Sequence, residues 1–344
     1  MFVYNGRKVP DNYKVILLQG GGNGQFAGVP LNLLNTTSKA DYIVTGAWSE
    51  KAFKEGKKYG PVNSVFETSN TYTGVTPQDK WVLDPEASYL YYCDNETING
   101  VEFDFIPKTR DNVPLVCDMS SNILSRLFDV SKFGVVFAGA QKNIGCAGIT
   151  LVLVRDDLIG KEVKTLPFNS KLQSLILRQI LSTTLHQFLR KIYVLNKVLK
   201  WVKENGGVEN MEKMALEKSS MIYTIIDNSK GFYYSPIKKN SSGNEALEKK
   251  FLEEAAAEGL LALKGHRSVG GVRASLLQCG YCQRRHKVER LHEEFYEQTV
   301  GRYSFKCHVL NFYFYVRCLF FICKLVLHYK TSSSILFIFP TSIL

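Results

Sequence analysis

Several large functional classes are excluded by what this sequence lacks. Its eight cysteines are scattered, and Cys279 with Cys282 forms the one C-x-x-C pair. A zinc site of that type needs a second pair at ligand spacing, and a disulfide framework belongs to small secreted chains; reduced thiols and no metal are expected. The first residues, MFVYNGRKVPDNYK, contain no apolar signal-type core. The formal net charge is +11, but residues 277–344 carry nine basic against four acidic residues, nearly half of that excess. No basic stripe interleaves with aromatics, so nucleic acid is not an expected partner. The apolar stretch 309–339 is interrupted by Arg317, Lys324, His328 and Lys330. A membrane span needs about 20 predominantly apolar residues, so no membrane partner is expected either.

What is present is a series of short apolar runs with chemistry at their ends. Residues 15–19, VILLQ, read as a buried strand entering Gly20, Gly21, Gly22, Asn23 and Gly24, and Phe26, Val29, Leu33 and Leu34 then recur at helical spacing. Strand, glycine turn, helix is an anion-binding layout, because glycines admit close approach and the first helical N–H groups are free. It matches neither the GxGxxG nor the GK[ST] pattern, and a bare tight turn is the alternative. Residues 41–45 read as the next strand and deliver Trp48, which could stack on a flat ring or fill a core. Residues 51–58 read as a solvated helix. Further strands are expected at 62–66, 88–93, 115–117, 133–137 and 148–154, leaving Thr97, Asp118 and Lys142 just beyond strand ends. Lys142 lies in the small-residue turn FAGAQKNIGCA, where an amine is either engaged or, as the bland alternative, on the surface. A carboxylate at a strand end, about two dozen residues before a lysine in such a turn, meets the needs of pyridoxal phosphate. The lysine bonds the cofactor, the carboxylate pairs with its ring nitrogen, and the glycine loop holds its phosphate.

The segments GGGNGQF, TGAWS, NETINGVEFDF, CDMSSN, DVSKFGVVFAGAQKNIG and GHRSVGGVRAS resemble the phosphoserine aminotransferases, class V enzymes of the fold type I pyridoxal-phosphate superfamily. The resemblance covers roughly residues 9–160 and 193–276. It implies an α/β fold: a large domain (9–200) with a mostly parallel, mixed sheet, and a small α+β C-terminal domain (201–276). It implies pyridoxal 5'-phosphate as cofactor, Lys142 as the Schiff-base lysine and Asp118 as the pyridinium partner. Trp48 would stack on the ring, Gly22, Asn23 and Gln141 would contact the phosphate, and Thr97 would bond near the ring oxygen. His266, Arg267 and Arg273 would hold the anionic groups of the substrate, since guanidinium forks fit phosphate and carboxylate. The implied reaction exchanges an amino group between glutamate and 3-phosphohydroxypyruvate in serine biosynthesis, in a cytoplasmic homodimer.

The chain also departs from the family pattern. The family carries a leading segment whose His-Arg pair reaches the neighbouring subunit's substrate, and this chain has no counterpart. Residues 165–191 replace a YNTPP loop, and the family's strand between Lys239 and Asn244 is missing. The family likeness stops after residue 276. With permitted codons, shifted frames of 182–189 and 278–300 spell family-like sequence, so 165–191 and the 277–344 tail are expected to be misread coding sequence. A chain with this tail is expected to be weakly stable and poorly active. Two alternatives stay open: another class V aminotransferase for a small amino acid, and a catalytically inactive chain.

Overall fold

A computed structural model of the chain describes residues 3–4, 7–34, 37–67, 72–160, 185–229, 233–234, 245–257, 263–275 and 310–315. Most of 165–191 and of the 277–344 tail, with the Cys279–Cys282 pair and the gap at Lys239, lies outside the described residues.

The large sheet has seven strands: β1 (Tyr13–Leu18), β2 (Ala40–Ile43), β3 (Val62–Ser64), β4 (Leu90–Cys93), β5 (Leu115–Asp118), β6 (Val135–Gly139) and β7 (Thr150–Arg155). Their spatial order is β1-β7-β6-β5-β4-β2-β3. Neighbours from β6 to β3 pair in parallel, and β7 runs antiparallel between β6 and β1. Strands buried on both faces read as continuous apolar runs, which is why β4, β5 and β6 show no alternation. Helix α1 (Gly21–Leu33) packs Phe26 and Val29 on one face, with Tyr42, Tyr91 and Phe137. The other face packs Tyr92, Cys117 and Val136 against Leu195, Val198 and Val202 of α3 (Leu185–Glu204).

Helix α2 (Ala47–Gly56) begins four residues before the helix expected at 51–58, and so takes in Trp48. Gly46 at the cap has no side chain to mark this start; the Ser49 hydroxyl accepts the Gly46 amide, and the group that accepts the helix's own first amides comes from elsewhere in the chain. Helix α4 (Gly207–Asn228) changes core along its length: Val208 and Met211 join the large-domain cluster, Ile222 and Ile226 the small one. The small cluster also holds Tyr233, Val272, and Phe251 and Ala255 of α5 (Glu245–Ala257). Its sheet consists of β8 (Tyr233–Tyr234), β9 (Val272–Ser275) and β10 (Leu310–Tyr315), with β10 in the middle and parallel to both neighbours. Sequence reading set 277–344 apart from the fold, whereas the structure gives 310–315, LNFYFY, a place in it. An aromatic run of high β-propensity there gains backbone partners on both sides.

Candidate active site

The carboxyl ends of β2, β4, β5 and β6 face the same end of the sheet, and the chain turns there into the segments holding Trp48, Thr97, Asp118 and Lys142. Crevices at the carboxyl ends of parallel strands are where α/β sheets bind ligands. One hydroxyl ties three of these residues together. Thr97 Oγ1 accepts a hydrogen bond from Lys142 Nζ at 3.1 Å and another from Trp48 Nε1 at 3.1 Å. Thr97 is buried, while Lys142 and Trp48 are half-buried. The lysine therefore leans into the site, held by a neutral acceptor that can let it go.

Asp118 ends β5 and is buried. Its Oδ1 accepts the Ser120 amide at 2.9 Å. Burial pushes its carboxyl above the usual range, against the pull of the Ser120 hydrogen bonds and the Lys142 charge. The Ser120 hydroxyl in turn accepts the Gly139 amide at 2.9 Å, joining the ends of β5 and β6. Asp118 Oδ2 lies 3.7 Å from where a Cβ would sit on Gly22, so the carboxylate looks onto the start of α1. There Gly20 adopts a left-handed conformation (φ 112°), no side chain caps the helix, and its first turn has no acidic residue. A Cβ on Gly21 would meet nothing within 4 Å. Asn23 is exposed at this turn, and Gln141 folds its amide back against Gly139.

The lysine turn is supported from below. Asn143 is buried and donates to the Ile123 carbonyl at 2.8 Å. Gly148 takes a left-handed backbone (φ 102°), which favours glycine, and the end of the Lys191 side chain of α3 lies over it. Beside the site, buried Asp94 pairs with Arg126 at 2.7 Å and accepts Asn122 Nδ2 at 2.6 Å. Neither this network nor the buried Glu96, whose carboxylate accepts the Trp48 and Ser49 amides, was singled out from sequence. Their partners lie 20 to 50 residues away, beyond any local pattern.

His266, Arg267 and Arg273 belong to the small sheet and the turn before it. Gly265 N donates to the Gly271 carbonyl at 2.8 Å and Gly270 N to that of His266 at 2.8 Å, closing GHRSVGG into a tight loop. His266 Nδ1 lies 2.7 Å from Ser268 Oγ, and Arg267 is exposed. The structure thus gathers Trp48, Thr97, Asp118, Lys142 and the glycine turn at one end of the large sheet, and carries the other three on a separate element.

The family described as Aminotransferase class-V matches residues 5–264. A phosphoserine aminotransferase of Drosophila melanogaster is 55% identical over 281 residues, covering 78% of this chain and 77% of that protein. The solved phosphoserine aminotransferase of Bacillus circulans subsp. alkalophilus superposes with a TM-score of 0.78 at 39% identity, covering 84% of this chain and 82% of that one. The phosphoserine aminotransferase of Trichomonas vaginalis, solved with PLP bound, gives a TM-score of 0.76 at 32% identity, covering 83% of each chain. The chain belongs to the class V aminotransferase family, among the phosphoserine aminotransferases.

Proposed function

We propose that the chain transfers an amino group reversibly between L-glutamate and 3-phosphohydroxypyruvate, giving O-phospho-L-serine and 2-oxoglutarate, with pyridoxal 5'-phosphate as cofactor. The observation that carries this reading is the shared Thr97 hydroxyl, which holds the Lys142 amine and the Trp48 indole together at the sheet end that bears Asp118.

The residues present fit the cofactor. The uncapped first turn of α1 offers amides of Gly22 and Asn23 to a phosphate, in a helix with no acidic residue to repel it. Gln141 adds a side-chain amide. Asp118 is a carboxylate whose ionisation burial disfavours. A protonated ring nitrogen beside it would supply the missing counter-charge, each holding the other in its charged form. Trp48 offers a flat face, and Thr97 a hydroxyl within reach of a ring oxygen. Pyridoxal phosphate, when bound, supplies the electron sink that lets an amino acid lose its α-proton.

The chain's own groups do the rest. Lys142 Nζ would take the proton from the substrate's Cα as a general base and, as the acid, deliver it to the carbon on the far side of the amino nitrogen. Asp118 keeps the ring nitrogen protonated, which preserves the sink. His266, Arg267 and Arg273 would grip the substrate's phosphate and carboxylate with forked, charge-assisted hydrogen bonds. Family likeness supports a homodimer acting in the cytoplasm. No helix among the described residues is long and apolar enough to cross a membrane.

Turnover with 2-oxoglutarate as acceptor tests the substrate assignment. O-phospho-L-serine is expected to react at least about a hundredfold faster than L-alanine, because paired guanidinium contacts are each worth a few kcal/mol. Equal rates would instead indicate a general small-amino-acid aminotransferase.

A further inference from the structure

Glu96 immediately precedes Thr97 and is wholly buried. Its two oxygens each accept a backbone N–H from the first turn of α2: Oε1 from Ser49 at 2.6 Å, Oε2 from Trp48 at 2.8 Å. The Ser49 hydroxyl accepts the Thr45 and Gly46 amides at 2.9 and 3.1 Å, so the turn is closed on both sides. Gly46 is extended (φ 178°), and a Cβ there would lie 2.5 Å from Glu96 Cγ and Cδ. Glycine at this position is what admits the carboxylate, and the helix is capped by a residue 48 positions away as well as by Ser49.

A buried carboxyl is a costly way to cap a helix unless its shape matters. Here two converging donors meet two acceptors, an arrangement that an amide cannot reproduce, because its NH₂ would face one of the N–H groups. We propose that Glu96 is a positioning residue of the cofactor pocket: its ionised carboxylate fixes the backbone beneath Trp48 and so sets the indole against Thr97 and Lys142. The proposal rests on the reading that Trp48 and Lys142 hold pyridoxal phosphate.

The same geometry makes the hold depend on pH. Burial raises the Glu96 carboxyl to about 7, only partly offset by the Ser49 hydroxyl and then by the Ser49 and Trp48 amides, with the Asp118 charge adding to the rise. Tyr91 and Cys93 face it from β4 and Tyr72 from the segment after β3, and all three are neutral near pH 7. On α2, Glu50 interacts with Tyr72, and Lys51 sits over the Trp48 ring. Lys142 reaches the group through Thr97. Below the folded value, one oxygen carries a proton that faces an N–H, and one of the two contacts is lost; above it both are made.

The test is the dissociation constant of pyridoxal phosphate for the full chain and for Glu96→Gln, at about pH 8 and about pH 6. The amide resembles the protonated acid, so Glu96→Gln is expected to bind about tenfold more weakly at the higher pH, the worth of one charge-assisted hydrogen bond. At the lower pH the two should agree within about threefold. Titration of the cofactor phosphate, Lys142 and Asp118 is common to both proteins and cancels in the ratio. Gly46→Ala, which displaces the carboxylate without removing it, should weaken binding in the same sense, and it carries the test if Glu96→Gln does not fold. A ratio that is unchanged between the two pH values, or Gly46→Ala binding like the parent, overturns the proposal. In the cofactor-free chain, Trp48 emission, taken as the difference from Trp48→Phe, should show a step near pH 7 that Glu96→Gln lacks. If the parent takes up no pyridoxal phosphate the cofactor reading fails, and the emission step alone then decides: its presence sustains the coupling and its absence overturns it.

Discussion

Tyr42 on β2, Tyr91 on β4 and Tyr89 just before β4 are all wholly buried side by side, yet their hydroxyls fare differently. Tyr42 and Tyr89 hydrogen-bond each other at 2.7 Å, whereas the Tyr91 hydroxyl has no hydrogen-bond partner among the described residues. The Tyr91 ring still earns its place, 4.9 Å from Tyr42 and 6.3 Å from Phe137 between ring centres. Removing an unpaired buried hydroxyl relieves a desolvation penalty, while removing one of a pair orphans the other. Tyr91→Phe is therefore expected to stabilise the cofactor-free chain by about 1 kcal/mol in urea unfolding, and Tyr89→Phe to destabilise it by about 1–2 kcal/mol. The reverse order would show that Tyr91 has a polar role. Sequence alone marks all three as strand tyrosines and cannot rank them, because the ranking depends on which hydroxyls meet across strands.

The two helices that open onto the site start for different reasons. Helix α1 starts at a glycine turn visible in the sequence, and the layout read from GGGNGQF matches the uncapped, left-handed start at Gly20. Gly22 can be separated into structural and functional parts. A Cβ there would make ordinary contacts at 3.7–3.9 Å with Asp118 and the Phe26 ring. Alanine is favoured over glycine within a helix by about 0.5–1 kcal/mol. Gly22→Ala should thus raise the unfolding midpoint of the cofactor-free chain and weaken pyridoxal phosphate binding, since the methyl would stand where the proposed phosphate site offers its amides. Undiminished binding would remove Gly22 from the phosphate site. Helix α2, by contrast, was legible only from its second turn. Its first turn, with Trp48, is capped by Glu96 from the β4 side as well as by Ser49, and no window of neighbouring residues contains the Glu96 half.

At the scale of the whole molecule, the large sheet was legible and the small one less so. Strands β4, β5 and β6 announce themselves as apolar runs, and each places a polar residue at or beyond its end, so the cluster of Thr97, Asp118 and Lys142 could be anticipated from order alone. The antiparallel β7 could not, because a buried run such as GITLVLV reads the same in either direction. In the small sheet only the middle strand, Leu310–Tyr315, escaped, because it lies far along the chain from its neighbours Tyr233–Tyr234 and Val272–Ser275. The central claim, that Lys142 in its Thr97-bound position makes this fold an aminotransferase for phosphoserine, is tested most directly by one comparison. The rate at which glutamate and 3-phosphohydroxypyruvate yield O-phospho-L-serine is measured for the pyridoxal-phosphate-loaded chain and for Lys142→Ala. The parent should form phosphoserine and Lys142→Ala should be slower by at least about a thousandfold, the scale expected for loss of a general acid–base. Equal rates, or no phosphoserine from either protein, would contradict it.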